Sequence, residues 1–129
     1  MTFRFATLLF AAIAAGCSSA PTKPLGEQTF QTHCASCHGP LAEGDGPTAT
    51  TLTVPVPNLR TLSQRNGGTF PTDAVASYID GRTFPAAHGT REMPVWGPVF
   101  SATQQLVTDA ESSEQRIAGL MTYLRELQQ

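Results

Sequence analysis

Apolar residues recur at helical spacing most clearly near the end of the chain. A single stripe falls at relative positions 0, 3, 4, 7 and 10, and it consists of Ile117, Leu120, Met121, Leu124 and Leu127. Acidic residues stand where this stripe begins, at Asp109, Glu111 and Glu114. Negative charge is favourable at the start of a helix because of the helix dipole. The pattern therefore predicts a C-terminal helix with one buried face.

A second helix is predicted within residues 70–82. Its apolar residues have the spacing i, i+3, i+4, at Val75, Tyr78 and Ile79. Thr72 or Asp73 is the expected N-cap residue, since short polar side chains accept hydrogen bonds from the first free backbone N–H groups. Gly81 is suited to the position just after the helix ends.

A third helix is predicted from Gly26 to Cys34, with Phe30 as its one large apolar residue. Residues 39–70 differ, because they hold five glycines and four prolines and show no helical period. A loop of that length in a compact domain is usually functional or disordered. Val54 and Val56 could form a short strand, but the prolines beside them disfavour it. We predict an all-α domain of three or more helices with long loops.

The N-terminus has the features of an export signal. Arg4 precedes an apolar run, Phe5 to Ala15, that is shorter than the roughly 20 residues a membrane-spanning helix needs. The following Gly16-Cys17 resembles the cleavage site of bacterial lipoproteins. We expect a lipoprotein-type signal peptide at 1–16 and a lipidated Cys17. Residues 17–25 then form a flexible tether on the periplasmic side of the envelope, anchored to a membrane by the lipid. The alternative is ordinary cleavage near residue 15 or 20, which leaves Cys17 unmodified.

The charge of the mature chain is low. Cleavage before Cys17 removes Arg4 from the eight Lys and Arg side chains and none of the ten Asp and Glu side chains, so the mature chain is slightly acidic. No polybasic run is present, so we expect no nucleic-acid partner. The chain has three cysteines, and lipidation of Cys17 leaves Cys34 and Cys37 as a self-contained pair.

The segment THCASCHGP places Cys34, Cys37 and His38 close together in the chain. A thioredoxin-type site needs a βαβ setting, which this chain lacks. A zinc site needs four ligands, and no second cysteine pair exists to complete it; His33 and His88 would have to contribute in an awkward geometry. The third reading is C-x-x-C-H, which is typical of covalent haem c attachment. Two thiols three positions apart on a helical turn project to one side, and His38 then lies below the porphyrin. We predict one covalent haem c with its iron.

The chain resembles class I c-type cytochromes, the bacterial monohaem cytochromes c. Besides C-x-x-C-H, the resemblance rests on the order of several short segments: Gly26 and Phe30, PNLRTL, RNGGTFP, YIDGR, MPVWG and GLMTYL. It covers roughly residues 26–127 and implies a cytochrome c domain at 26–129. It also implies that the first and last helices approach closely at Gly26 while Phe30 packs near Tyr123.

The chain offers few candidates for the sixth iron ligand. The initiator methionine leaves with the signal, and Met121 belongs to the apolar stripe of the last helix. Met93 lies in a loop, TREMPVWGP, where the following proline favours an extended backbone. The resembling family places its axial methionine in such a segment, so we predict His38 and Met93 as the iron ligands. The alternative is that Met93 only packs near the haem and His88 is the ligand. Otherwise His33 and His88 are expected at the surface.

The resemblance also implies groups around the ligands. A proline carbonyl holds the free N–H of His38, with Pro57 as first choice and Pro47 as the alternative. Trp96 either donates a hydrogen bond to a haem propionate or simply packs against the haem. One of four arginines could pair with a propionate: Arg60, Arg65, Arg82 or Arg91.

The resemblance implies an electron-transfer protein that is not an enzyme, with respiratory redox proteins as donors and acceptors. Methionine–histidine ligation raises the reduction potential relative to two histidines. Two alternatives stay open. The domain could be the haem c subunit of a larger oxidoreductase complex, or its sixth position could be open to bind a gas or peroxide.

Overall fold

The structure is a computed structural model that describes residues 23–81, 93–106 and 111–129. These ranges contain six α-helices, two 3-10 turns and no strand, which confirms the predicted all-α class. The helices are α1 Leu25–His33, α2 Ala35–His38, α3 Leu62–Arg65, α4 Thr72–Asp80, α5 Trp96–Leu106 and α6 Ser113–Glu126. The 3-10 turns are Ala49–Thr51 and Leu59–Thr61.

Helices α1 and α6 cross in close contact at two glycines. A Cβ atom on Gly26 would collide with the carbonyl group of Gly119, so only glycine allows this approach. Beside the crossing, the rings of Phe30 and Tyr123 pack with their centroids 5.4 Å apart. The predicted close approach of the first and last helices, with Phe30 near Tyr123, is confirmed.

The buried core lies between these two helices, α4 and α5. It consists of Phe30, Ala42, Ile79, Phe100, Leu120, Met121 and Leu124. Met121 is 5% exposed, so its interpretation as a core residue is confirmed. Three of these core side chains, Leu120, Met121 and Leu124, belong to the apolar stripe predicted for the last helix.

Helix α6 begins earlier than its apolar stripe. Ser112 and Gln115 form a reciprocal capping box: the Ser112 hydroxyl accepts from the Gln115 N–H at 3.1 Å, and the Gln115 side chain accepts from the Ser112 N–H at 2.7 Å. Glu114 lies in the first turn, as expected for the positive end of the helix dipole. These caps satisfy backbone donors that the first turn leaves free.

The predicted N-cap of α4 is wrong. The helix begins at Thr72 after Pro71, and neither Thr72 nor Asp73 caps it with a side-chain hydrogen bond. The Thr72 hydroxyl instead accepts a hydrogen bond from the Arg125 guanidinium of α6 at 3.0 Å, because α6 packs across this end of α4. Gly81 ends the helix in the left-handed conformation, with φ of 70°, as predicted.

Helix α5 was not predicted. Its sequence, WGPVFSATQQL, carries a glycine and a proline in the first turn, but proline is tolerated there because its missing N–H would have no helical partner. The rings of Trp96 and Phe100, four positions apart, stack at 5.6 Å. The Ser113 hydroxyl, buried at the start of α6, donates to the Gly97 carbonyl at 3.2 Å. Contacts with α4 and α6 therefore stabilise this helix.

The segment 39–70, predicted as loop, contains both 3-10 turns and the single-turn helix α3. Leu59 in this segment packs against the core, whereas Leu41 and Val54 are exposed. The proposed signal peptide 1–16, Cys17 and most of the tether lie outside the described residues. Helix α1 begins at Leu25, one residue inside the range assigned to the tether. In the described ranges no helix has the length and apolarity to cross a membrane.

The helix crossing gives a stability prediction for Gly26→Ala. In an unconstrained helix, Gly→Ala stabilises by up to about 1 kcal/mol. Here the added methyl group meets backbone atoms of Gly119, so we expect a destabilisation of about 1 to 3 kcal/mol, measured by denaturant unfolding of the purified protein. Gln28→Ala, exposed on the same helix, is the matched control and should be nearly neutral. Unchanged or higher stability for Gly26→Ala would contradict the close crossing.

Candidate functional site

The C-x-x-C-H segment forms a tight helical turn at the end of α1. The His38 N–H donates to the Cys34 carbonyl at 2.9 Å, and the Cys37 N–H contacts the same carbonyl at 3.2 Å. Both cysteines are half-buried free thiols. Because residues three positions apart share one face of a helical turn, the backbone presents both thiols from the same short element.

A cavity of about 360 Å³ opens beside this turn, within the size range of small-molecule and cofactor sites. Its lining is almost entirely apolar. The lining residues are Phe30, Cys34, His38, Pro57, Leu59, Leu62, Arg65, Ala74, Val75, Tyr78, Ile79, Met93, Leu120 and Leu124. They come from α1, α2, α3, α4 and α6 and from the loops between them, so the cavity exists only when the whole domain is assembled.

Burial changes the chemistry of the two motif side chains that line the cavity. It raises the pKa of the Cys34 thiol to about 12, and the nearby Cys37 adds to the shift. It lowers the pKa of His38, because a charged imidazolium is disfavoured there, while the Pro57 backbone carbonyl opposes that shift. The cavity therefore holds a neutral thiol and a neutral imidazole at pH 7.

His38 Nδ1 is buried and makes no hydrogen bond of good geometry. The Pro57 carbonyl is close enough to influence the ring, but the contact falls short of a hydrogen bond. A buried polar atom without a partner is costly, and in native proteins it marks a place where something else completes the arrangement. The Pro57 carbonyl is therefore the candidate acceptor for a hydrogen on Nδ1, which would leave Nε2 free to bind a metal.

The loop after the motif folds back onto it through the backbone. The Gly44 N–H donates to the His38 carbonyl at 2.8 Å, and the Gly46 N–H donates to the Cys37 carbonyl at 3.1 Å. A Cβ atom on Gly46 would collide with the carbonyl groups of the motif, so a side chain is excluded at this position. These two hydrogen bonds hold the loop to the motif through backbone atoms.

Thr48 also contacts the motif, a role that its place in the sequence does not indicate. Its N–H and its hydroxyl both donate to the Ser36 carbonyl, at 3.0 and 2.7 Å. The same hydroxyl lies 3.2 Å from Cys37 Sγ, so it orients this thiol. A threonine eleven positions beyond a cysteine has no sequence signature, and only the folded loop brings the two together.

The two candidate prolines differ in position. Pro57 lines the cavity, and the stretch of loop that carries it packs on Gly44, where a Cβ atom would meet the Val56 and Pro57 backbone. Pro47 is not among the lining residues. Of the two predicted partners for His38, the geometry favours Pro57, and that role stays a prediction.

The two internal methionines lie in different environments. Met93 lines the cavity together with Cys34 and His38, and it packs against the core. Met121 is buried in the core and is not among the lining residues. His88, the alternative ligand, lies outside the described residues.

The expectation that His33 lies at the surface is wrong. Its ring is half-buried, with centroids 5.4 Å from both Trp96 and Phe100, because the unpredicted helix α5 packs on the end of α1. Burial lowers the pKa of His33, and the positive charge of Arg116 lowers it further. Trp96 packs against His33 and Phe100 and is not among the residues that line the cavity. Its predicted hydrogen bond to a haem propionate therefore stays a prediction that these contacts do not favour.

Arg65 is the one formally charged side chain among the residues that line the described cavity. Its guanidinium donates to the Asn58 carbonyl at 2.8 Å. Arg60 instead forms an ion pair with Glu43 at 2.9 Å. Arg82 and Arg91 lie outside the described residues. Within the ranges that the structure describes, no group of three or more His, Cys, Asp or Glu side chains could hold a metal ion.

The family model described as Cytochrome c matches residues 25–128. The chain belongs to the cytochrome c family. Haem c, covalently attached and containing iron, is the cofactor of this family, and the function of its members is haem-based electron transfer with redox partners. No curated protein and no solved structure matches this cytochrome with significance.

The residues of this cytochrome fit its cofactor. The C-x-x-C-H turn supplies two thiols for thioether bonds and an imidazole for iron. The apolar cavity beside that turn suits a porphyrin, and a hydrogen on His38 Nδ1 would leave Nε2 available to bind the iron. The haem would thus take the place of side chains at the centre of this small domain.

Haem attachment should depend on the cysteine pair. We expect the double variant Cys34→Ala/Cys37→Ala to retain no haem after denaturation, because no thioether bond can form. Haem staining after denaturing electrophoresis measures this. Cys17→Ser is the control and should stain like the wild type. Wild-type staining of the double variant would rule out this attachment site.

Proposed function

We propose that this cytochrome carries one electron at a time on a haem whose iron is held between His38 and Met93. The observation that carries the proposal is that Cys34, His38 and Met93 line one apolar cavity. Met93 lies far from His38 along the chain, so their meeting is a result of the fold. Met121, the other internal methionine, is buried in the core and does not line the cavity.

Each ligand residue has a separate task. His38 offers a neutral imidazole, because its pKa is lowered by burial, and a neutral ring nitrogen is the form that binds a metal. Met93 offers a thioether, a soft ligand that raises the reduction potential relative to a second histidine. The haem supplies the reversible one-electron change of its iron. Two protein ligands on the iron would limit how much its surroundings move when its charge changes.

In this proposal Pro57 orients the imidazole ring of His38 through its backbone carbonyl. Its carbonyl is the polar group that acts on the ring, and a small approach would let it accept a hydrogen bond from the buried Nδ1–H. A held N–H fixes the ring orientation and makes the other nitrogen a better ligand. The geometry of the loop supports this role, since Gly44 packs directly on the Pro57 backbone.

The rest of the cavity controls solvent. Apolar side chains from α1, α3, α4 and α6 exclude water, and a dry environment disfavours the more highly charged oxidised state. Arg65 is the positive side chain available at this cavity for a haem propionate. An exposed guanidinium paired with a carboxylate adds orientation more than stability.

The test of the proposed ligands is Met93→Ala. A sulfur–iron bond gives the oxidised protein a weak charge-transfer band at the red end of the visible spectrum. We expect this variant to lose the band, to have a lower reduction potential, and to bind carbon monoxide when reduced. Visible spectroscopy and potentiometry of the purified protein measure all three.

Met121→Ala is the matched control, because it removes the same side chain from the core. It should cost about 2 to 5 kcal/mol of stability and leave the band in place. If the wild type lacks the band and binds carbon monoxide rapidly, the sixth position is open. The function is then gas or peroxide binding, and the carrier proposal is wrong.

We further propose that the protein works at the periplasmic face of a membrane, tethered by a lipid on Cys17. The support is the short apolar run of residues 5–15, the Gly16-Cys17 junction, and the few residues between Cys17 and the start of α1 at Leu25. A tether of that kind keeps the haem domain near membrane-bound respiratory donors and acceptors, either as a carrier or as a subunit of their complex.

Cys17→Ser tests the anchor. We expect the wild-type protein in the membrane fraction and the variant in the soluble periplasmic fraction, each with its haem, because the substitution removes the lipid and leaves the domain intact. Fractionation with haem staining measures the distribution. A wild-type protein that is soluble, or whose mature N-terminus lies beyond Cys17, would contradict lipid anchoring.

A further inference from the structure

Gln128, near the C-terminus, joins two distant parts of the chain through one side chain. Its Oε1 accepts from the Ser63 N–H at 2.8 Å. Its Nε2 donates to the Leu59 carbonyl at 2.9 Å and to the Leu124 carbonyl at 2.6 Å. All three bonds are partly shielded from solvent, and those to Ser63 and Leu59 connect positions that are far apart in the sequence.

The segment that Gln128 holds is part of the cavity wall. Leu59, Leu62 and Arg65, which line the cavity, lie within or beside α3 and the 3-10 turn before it. Leu124, on α6, lines the same cavity. One amide therefore connects the wall formed by residues 59–65 to the wall formed by α6.

Other attachments of this segment are the Arg60–Glu43 ion pair and two backbone hydrogen bonds. The Gln129 N–H donates to the Arg60 carbonyl at 3.0 Å, and the Leu59 N–H donates to the Ala42 carbonyl at 2.8 Å. Helix α3 has only four residues, too few to be stable without tertiary contacts. The position of this wall thus depends on bonds made from outside it, and Gln128 makes two of them.

We infer that Gln128 is a positioning residue for the haem: it holds residues 59–65 against the cofactor and thereby sets how much water reaches it. This rests on the proposed electron-transfer function. Only an amide suits the role, because the contacts require one acceptor and two donated hydrogens. Loss of the amide loosens the wall, and water admitted to the cavity favours the oxidised state, so the reduction potential falls.

The experiment compares Gln128→Met with Gln64→Met in the haem-loaded protein. Methionine preserves the length of the side chain and removes every hydrogen bond. Gln64 is exposed on α3 itself, so its variant is the matched control. We expect hydrogen exchange of the Ser63 amide to become about tenfold faster in Gln128→Met, as loss of a shielded hydrogen bond allows. The reduction potential should fall, and Gln64→Met should change neither quantity.

A purely structural role predicts another pattern. In that case Gln128→Met lowers the denaturation midpoint while the reduction potential stays at the wild-type value, and the inference is overturned. Unchanged exchange of the Ser63 amide overturns it as well. The charge-transfer band at the red end of the oxidised spectrum distinguishes the Met93 proposal from the Gln128 proposal. If the wild-type protein lacks this band, only the assignment of Met93 as an iron ligand is wrong. Exchange and potential still decide the role of Gln128.

Discussion

The contact between α1 and α6 at Gly26 and Gly119 is the constraint on which the site depends. It brings two backbones together at a distance that no side chain would permit. Helix α1 ends directly at Cys34, so the direction of its axis decides where the C-x-x-C-H turn lies. The same helices supply Phe30 and Leu120 to the cavity wall. A wider crossing would displace the motif from the wall that faces it.

The parts of this protein that local sequence determines were predictable. The apolar stripe of α6 has an unbroken period, and C-x-x-C-H needs only one helical turn to present its ligands. Met93 was identified by elimination among few methionines and by the resemblance, and the fold places it in the same cavity as His38. For α6 and for the C-x-x-C-H turn, the information lies within a few neighbouring residues.

The parts that depend on distant contacts were not predictable. Helix α5 has Gly97 and Pro98 in its first turn, which favour a loop. It is stabilised by an edge-on ring contact with His33 and by a hydrogen bond from Ser113. The same packing buries His33, whose sequence neighbours suggested a surface position. Thr72 gives up its capping role because Arg125 reaches it from α6. A local pattern carries no information about a partner on a helix that comes much later in the chain.

The loop after the C-x-x-C-H motif is held to it by a regular series of backbone hydrogen bonds. The N–H groups of alternate residues, Gly44, Gly46 and Thr48, donate to the carbonyls of His38, Cys37 and Ser36 in turn. These bonds are between backbone atoms, and close contacts leave no room for a Cβ atom at Gly44 or Gly46. Removing one residue between 39 and 43 would turn the wrong set of N–H groups toward the motif. The length of this loop is therefore constrained by the spacing of its backbone N–H groups, independently of the side-chain contact that Thr48 adds.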